Sequence, residues 1–430
     1  MLRGGPGAIP DEIWRTLQPW ESSFDAQVER LANEQVAIRR HLHAHPEPSG
    51  EESETSRYIR QRLSTAGLDA RLLQNDRGIE TGVVADLVLG RPPQNAPLIA
   101  LRGDIDALRI PDEKTVEYRS LRPDLAHACG HDAHTSIVLG AALAGVGIHR
   151  SNGSLPADSG ARLRFLFQPA EETSEGARWL VAQGAMDGVD AVLGLHVDPE
   201  RACGEVGIRY GVLTAYCDEV QFLVEGRGGH AARPHHGTDP IAAAAQLVSA
   251  LYAFLPRSVD SRNPSVFTVG RIAGGYAPNV IPERVELEGS LRTTDDATRR
   301  RLLERIAEIC RGVQDVSGVT ITPQFLRPLG AVYNHPAITA ALEAGSRRLL
   351  DSAQIILLDR PSMGGEDFSV YLDHAPGAML RLGCAAPGAK PPFLHSSLFD
   401  LDERALALGT RILLRAALLL TRTAAEWKRL

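Results

Sequence analysis

Apolar positions recur at helical spacing through FDAQVERLANEQVAIRRHLH (24–43), and the break HPEPSG stops the pattern. Residues 52–66 repeat that spacing. Strand-like runs follow in GVVADLVLG (82–90) and PLIALRGDIDAL (97–108). The spacing predicts a helix over 135–148, a strand over 162–168, a helix over 174–185 and a strand over 191–197, with 150–160 a loop. Strands alternating with helices predict a largely parallel sheet covered by helices on both faces.

The middle of the chain has another rhythm. It reads as strand 217–226, helix 239–255, strands 264–275 and 284–293, helix 298–313 and strand 319–325. That β-α-β-β-α-β order is the split arrangement of a ferredoxin-like domain. Afterwards a strand at 378–383 and a final helix at 405–420 resume the first pattern. The expected fold is therefore α/β. Its large domain, residues 1–214 and 327–430, has a helix-covered, mostly parallel sheet, and a ferredoxin-like domain is inserted at 215–326.

Composition narrows the function. A chain of 430 residues is long enough for two or three domains. Its 43% hydrophobic and 23% charged residues are those of a globular protein. The net charge is −7 with both signs mixed, so no basic stripe points to nucleic acid. Five cysteines without a CxxC pair argue against a disulfide framework and for a reducing compartment. No run approaches the roughly 18 apolar residues of a membrane span, and the N-terminus lacks an apolar core of signal-peptide length. In the most apolar stretch, 405–420, Arg411 and Arg415 interrupt the run. The cytoplasm is the expected location and no membrane partner is expected.

Chemistry concentrates in HACGHDAHTS (127–136), which holds three histidines, one cysteine and one aspartate. It lies between a strand region and a helix, where α/β folds place ligands. In a loop, Cys129 and His131 would both point at one spot, and thiolate and imidazole both bind divalent metals. Polar residues capping the helix are the plainer alternative. FQPAEETSEG (167–176) sets two glutamates at a strand end. Such a pair is tolerated where a cation is shared or one carboxyl is protonated. One can then bind metal while the other takes a proton from the attacking water. His196 closes an apolar strand, and His395 stands in a loop before the last helix. Cys129, His131, Glu172, His196 and His395 are too many ligands for one tetrahedral zinc, and they suit two adjacent metals.

Nine segments resemble a family of di-metal amidohydrolases and peptidases. It includes indole-3-acetyl-amino-acid hydrolase, hippurate hydrolase and N-acyl-amino-acid amidohydrolases. The segments include RRHLHAHPEPSGEE (39–52), LRGDIDALRI (101–110), HACGHDAHT (127–135), FQPAEETSEGA (167–177), LGLHV (193–197) and GRGGHAARPHHGTDPI (226–241). NVIPERVELEGSLRT (279–293), MGGEDFSVYL (363–372) and LHSSLFDLDERAL (394–406) complete the set, in order from residue 39 to 406.

The resemblance implies an enzyme that cleaves N-acyl amino acids or related small amides. Cys129, His131, Glu172, His196 and His395 would bind two divalent metals, manganese or zinc, with cobalt and nickel also compatible. Glu171 would be general base and later acid, an ordering of the two glutamates that spacing alone leaves open. The inserted domain would be a lid and a homodimer or higher homo-oligomer contact. On it, His230 would stabilise the oxyanion, sometimes from the partner subunit. Asn279 and Arg292 would hold the substrate carboxylate. Asp104, Asp106, Asp132 and His134 are left between orienting the ligands and serving local structure. Pro48 and Ser397 depart from the family pattern without touching an expected ligand. A dipeptidase, carboxypeptidase or carbamoylase could use the same site, although those branches usually carry an Asp-based metal pair. A metal-dependent binding protein without turnover would be expected to lack a ligand or the Glu pair.

Overall fold

The structure is a computed structural model that describes residues 19–150, 160–388 and 392–429, so most of the loop expected at 150–160 lies outside the described residues. Thr214–Val332 and Pro361–Glu366 form one compact unit and the rest of the chain another.

The larger unit is built on eight strands: β1 (Ala70–Gln74), β2 (Glu80–Leu89), β3 (Leu98–Asp104), β4 (Ala161–Gln168), β5 (Ala191–Ala202), β6 (Val206–Ile208), β7 (Ile355–Leu357) and β8 (Gly377–Ala385). They lie in the order β1-β2-β4-β3-β5-β8-β6-β7. The central four, β4-β3-β5-β8, run parallel. β1 and β2 add an antiparallel edge, and β6 runs antiparallel to β8. Hydrophobic spacing carries no strand direction, so these reversals were not legible in the sequence. Short β1, β6 and β7 are too brief to show a period.

Every residue of β3 is buried, as a strand covered on both faces requires. Its two charges, Arg102 and Asp104, pair with each other at 2.6 Å. Helices α1 (Pro19–Ala44), α2 (Ser53–Thr65), α3 (His131–Arg150), α4 (Gly176–Ala182), α5 (Pro336–Arg347) and α6 (Arg404–Arg422) accompany the sheet. α3 packs against α1, α6 and β3. Its small residues allow that approach: a Cβ at Gly140 would lie 2.0 Å from the Gln35 side chain. Ile137, Val138 and Leu139 are fully buried, each contributing about 1.5–3 kcal/mol.

The smaller unit has a four-stranded antiparallel sheet in the order Ser265–Gly274, Arg284–Thr293, Tyr216–Glu225, Thr320–Leu329. Helices Pro240–Phe254 and Asp296–Ser317 share its core with alternate strand residues such as Val220, Phe222, Val224, Val285 and Leu287. Asp239 caps the first helix by accepting from the Ile241 and Ala242 amides. Left-handed Gly318 (φ 72°) ends the second. This unit extends past residue 326, where the sequence pattern ended, because the last strand continues to Leu329. It also takes in Pro361–Glu366, where the Ala215 amide donates to Gly364 at 3.1 Å.

Candidate metal centre

The ends of parallel strands gather the chemistry, as open α/β sheets arrange it. Residues after β3 supply Asp106, those after β4 supply Glu171 and Glu172, and β5 carries His196. His131, expected in a loop, is the first residue of α3. The turn before it needs a glycine. Gly130 has φ 85°, and a Cβ there would lie 2.4 Å from Val197 Cγ2. Cys129 and His131 therefore flank a left-handed glycine pressed against β5.

Candidate ligand atoms lie within 4.8 Å of one another in several overlapping groups, among them Cys129–His131–His196, Cys129–Glu172–His395, His131–Glu171–Glu172 and Asp104–His131–His134. The first two contain all five residues expected as ligands, and they share Cys129. The Cys129 sulfur is 3.5 Å from His196 Nε2, and Glu172 Oε1 is 3.5 Å from His395 Nε2.

Hydrogen bonds tell which imidazole nitrogens are available. His131 Nδ1 donates to Asp106 Oδ1 at 3.0 Å, which leaves the Nε2 lone pair facing inward. His196 Nδ1 donates to the Val197 carbonyl at 2.7 Å, which leaves Nε2 toward Cys129. His134 differs. Its Nδ1 donates to Asp104 Oδ1 at 2.6 Å, and its Nε2 accepts the Val197 amide at 2.9 Å. Both nitrogens are committed, so His134 and Asp104 orient β5 rather than offer ligands.

The donor set fits divalent cations. His131 Nε2 and Glu172 Oε1 are buried, lie 3.9 Å apart and have no hydrogen-bond partner among the described residues. Two buried lone-pair atoms facing each other are costly unless something positive joins them. The field around them is negative. Burial works against a proton on His131, but the Asp104 carboxylate, Cys129 and the bond to Asp106 together outweigh it and raise that imidazole well above its usual value. A divalent cation would answer the same field. Burial keeps His196 neutral, far below its usual value, and pushes the Cys129 thiol upward, so a thiolate there needs a metal.

The turn bearing Glu171 and Glu172 is strained and pinned. Ala170 (φ 50°) and Ser174 (φ 57°) are left-handed without being glycine. On one side the Glu172 amide donates to Asp106 Oδ2 at 3.1 Å, so Asp106 fixes both His131 and Glu172. On the other, the Ala170 amide donates to Glu52 Oε1 at 2.8 Å. Burial pushes the Glu52 carboxyl up to about 8. His395 is also left-handed, with φ 64°, and its amide donates to Ala128 beside Cys129 at 2.7 Å. Three strained residues thus surround the cluster.

Asp132 points elsewhere. It accepts from Arg39 Nε and His43 Nδ1, each at 2.7 Å, and from the Ala133 amide at 3.0 Å. It sits in the first turn of α3 and ties that helix to α1.

In the smaller unit, His230 and Asn279 lie on a short ribbon in which Val280 pairs with His230. His230 Nδ1 accepts the Ala232 amide at 3.1 Å, which leaves Nε2–H to donate outward. Arg292 Nη1 donates to the Met363 carbonyl at 2.9 Å. Arg292 is not beside Asn279. Arg284 pairs with Glu225, and the ribbon continues beyond that end. Arg292 lies about 27 Å from Arg284, at roughly 3.4 Å per residue along the strand.

The sequence profile of peptidase family M20/M25/M40 matches residues 100–419. The chain belongs to this family. It is 36% identical to the N-acetyl-L-cysteine deacetylase of Bacillus subtilis over 398 residues, 92% of this chain and 90% of the relative. It is 38% identical to an N-acyl-L-amino acid amidohydrolase of Geobacillus stearothermophilus over 299 residues, 69% of this chain and 77% of the relative. Among solved structures, a dinuclear metal-binding peptidase of family M20 from B. subtilis superposes with a TM-score of 0.76 at 29% identity, covering 92% of this chain and 99% of that one. As a member of this family, the protein is a hydrolase acting on amides.

Family membership leaves several supporting residues unexplained by motif alone. Arg102 donates to Gln168 (2.8 Å), Asp104 (2.6 Å) and Asp367 (2.9 Å), all buried beneath the cluster. The signal was present in the sequence: Arg102 and Gln168 sit in otherwise apolar strand runs, where a polar residue has to find buried partners. Among the described residues, no helix is long and apolar enough to cross a membrane.

Proposed function

We propose that this amide hydrolase cleaves N-acyl amino acids or closely related small amides. The observation that carries the reading is the pair of buried atoms without a hydrogen-bond partner among the described residues, His131 Nε2 and Glu172 Oε1, with a second carboxylate beside them. Glu171 Oε2 lies 3.8 Å from His131 Nε2.

Cys129, His131 and His196 would hold one divalent cation, and Cys129, Glu172 and His395 a second. Manganese or zinc suits this mixed set, and cobalt or nickel is compatible with it. When bound, the ions supply positive charge that polarises the amide carbonyl and makes water more acidic. Glu171 would take the proton of the attacking water and return it to the leaving amine. His230, with Nε2–H directed outward, would donate to the oxygen that gains charge. Arg292 and Asn279 would bind the free carboxylate.

The length of strand Arg284–Thr293 bears on assembly. His230 and Asn279 stand at one end and Arg292 near the other, so one small substrate meets all three only if two chains contribute. We therefore propose a homodimer. Strand Ser265–Gly274 is an edge of its sheet, with Val266 46% and Ile272 57% exposed. An edge of that kind favours pairing with a second copy.

The test is a substrate panel with the metal-loaded protein: N-acyl amino acids, dipeptides and N-carbamoyl amino acids. The proposal expects kcat/KM to be highest on the N-acyl compounds. Preference for dipeptides or carbamoyl compounds would move the protein to another branch of the family.

A further inference from the structure

The two glutamates at the centre owe their aim to Ala170. This residue is fully buried and left-handed, with φ 50°, a conformation that a Cβ disfavours. Its carbonyl accepts from the Glu175 and Gly176 amides, both at 3.2 Å. The turn is so tight that a Cβ at Gly176 would lie 1.5 Å from the Pro169 oxygen. On its other side the Ala170 amide has one acceptor, Glu52 Oε1. Glu52 is itself fully buried, and it also accepts from the Gly50 amide and the Thr81 hydroxyl, each at 2.8 Å. None of these three donors belongs to a metal-ligand candidate. Three donors converging on one buried carboxyl make it a fixed strut. An apolar side chain would fill the same space but leave the Ala170 amide buried and unpaired.

We propose that Glu52 is a positioning residue for hydrolysis. It holds Ala170 in the left-handed turn, and so aims Glu171 at the reacting water and Glu172 at its cation. This rests on the roles proposed for Glu171 and Glu172.

The test compares Glu52→Gln, Glu52→Asp and Glu52→Ala, with Ala170→Gly added to the last and Glu171→Gln as control. Calorimetric titration with manganese and thermal melting accompany the kinetics. Gln keeps an acceptor for Ala170 and an amide for the Thr81 hydroxyl, so kcat should stay within about threefold of wild type. Asp is shorter and Ala has no acceptor. Asp should lower kcat about tenfold and Ala about a hundredfold, with KM little changed. Manganese affinity should weaken about tenfold to a hundredfold in both. Because glycine adopts the left-handed turn without strain, Ala170→Gly should return about tenfold of the lost kcat in the Glu52→Ala protein.

If Glu52→Ala does not fold, Glu52→Asp carries the test. Wild-type kcat and manganese affinity in Glu52→Asp, or a lowered melting temperature alone, would overturn the positioning role. Turnover by Glu171→Gln would instead overturn the underlying reading, whatever the Glu52 variants do.

Discussion

His134 Nδ1 sits 2.6 Å from Asp104 Oδ1, while Nε2 of the same ring accepts the Val197 amide at 2.9 Å. A histidine within 4.8 Å of two other metal-capable groups is thereby removed from the ligand set. His134→Ala is expected to keep the manganese stoichiometry of wild type while affinity falls about tenfold to a hundredfold through the misplaced β5. His131→Ala should lose stoichiometric binding. Calorimetry of the two variants checks the distinction. Loss of an equivalent in His134→Ala would make it a ligand.

Gly130 separates Cys129 from His131 with φ 85° and a forbidden Cβ position against Val197. Gly130→Ala should destabilise the protein by at least about 1–3 kcal/mol through strain alone. It should also weaken metal binding, because Val197 and the adjacent His196 must shift. Denaturant melts with and without manganese measure both effects.

Arg39 is fully buried, and its guanidinium bonds Asp132 at 2.7 Å and Asp400 at 2.8 Å. Removing one partner of a buried pair leaves a charge without compensation. Arg39→Met should therefore cost about 3–5 kcal/mol. Burial works against ionisation of Asp132, but Arg39 and His43 outweigh it and hold its carboxyl well below the usual range. A depressed carboxyl stabilises the fold above its unfolded value and loses that contribution as pH falls through the native one. In the wild type that contribution should be constant from pH 8 to pH 5. In Arg39→Met burial acts on Asp132 with less positive charge opposing it, so its carboxyl should take up a proton higher in the range and the gap to wild type should narrow by pH 5. Unfolding curves of both proteins at the two values measure the gap, and a gap that widens toward pH 5 would contradict the assignment.

The proposed dimer makes a complementation test available. His230→Ala and Arg292→Ala should each be nearly inactive alone. Mixed and refolded together, they should regain roughly a quarter of wild-type activity, because half the dimers are mixed and each mixed dimer holds one intact site. No recovery on mixing would mean that both residues serve the same chain's site, or that one serves none.

Ligand types at short spacing made the cluster legible in the sequence. Cys129 and His131 are separated by one residue, Glu171 and Glu172 are adjacent, and the alternation of strands and helices placed them at strand ends or loops. The supports are different. Glu52 reaches Ala170 across 118 positions of sequence, and His134 is assigned by an amide of β5 across 63 positions. No periodicity encodes such contacts. Asp132 resembles a ligand because it follows His131, yet helical geometry turns it toward Arg39. The separation of Arg292 from Asn279 was legible in the sequence. Much of the segment between them is a strand pattern, and an extended strand carries its ends apart.

In the proposed mechanism two cations, held by Cys129, His131, Glu172, His196 and His395, support amide hydrolysis. Metal-stripped protein titrated with manganese, with hydrolysis of an N-acyl amino acid followed at each addition, tests it most directly. Turnover should rise to a break at about two equivalents per chain, and Glu171→Gln should bind the same two equivalents with almost no turnover. A break at one equivalent, full activity without metal, or turnover by Glu171→Gln would contradict it.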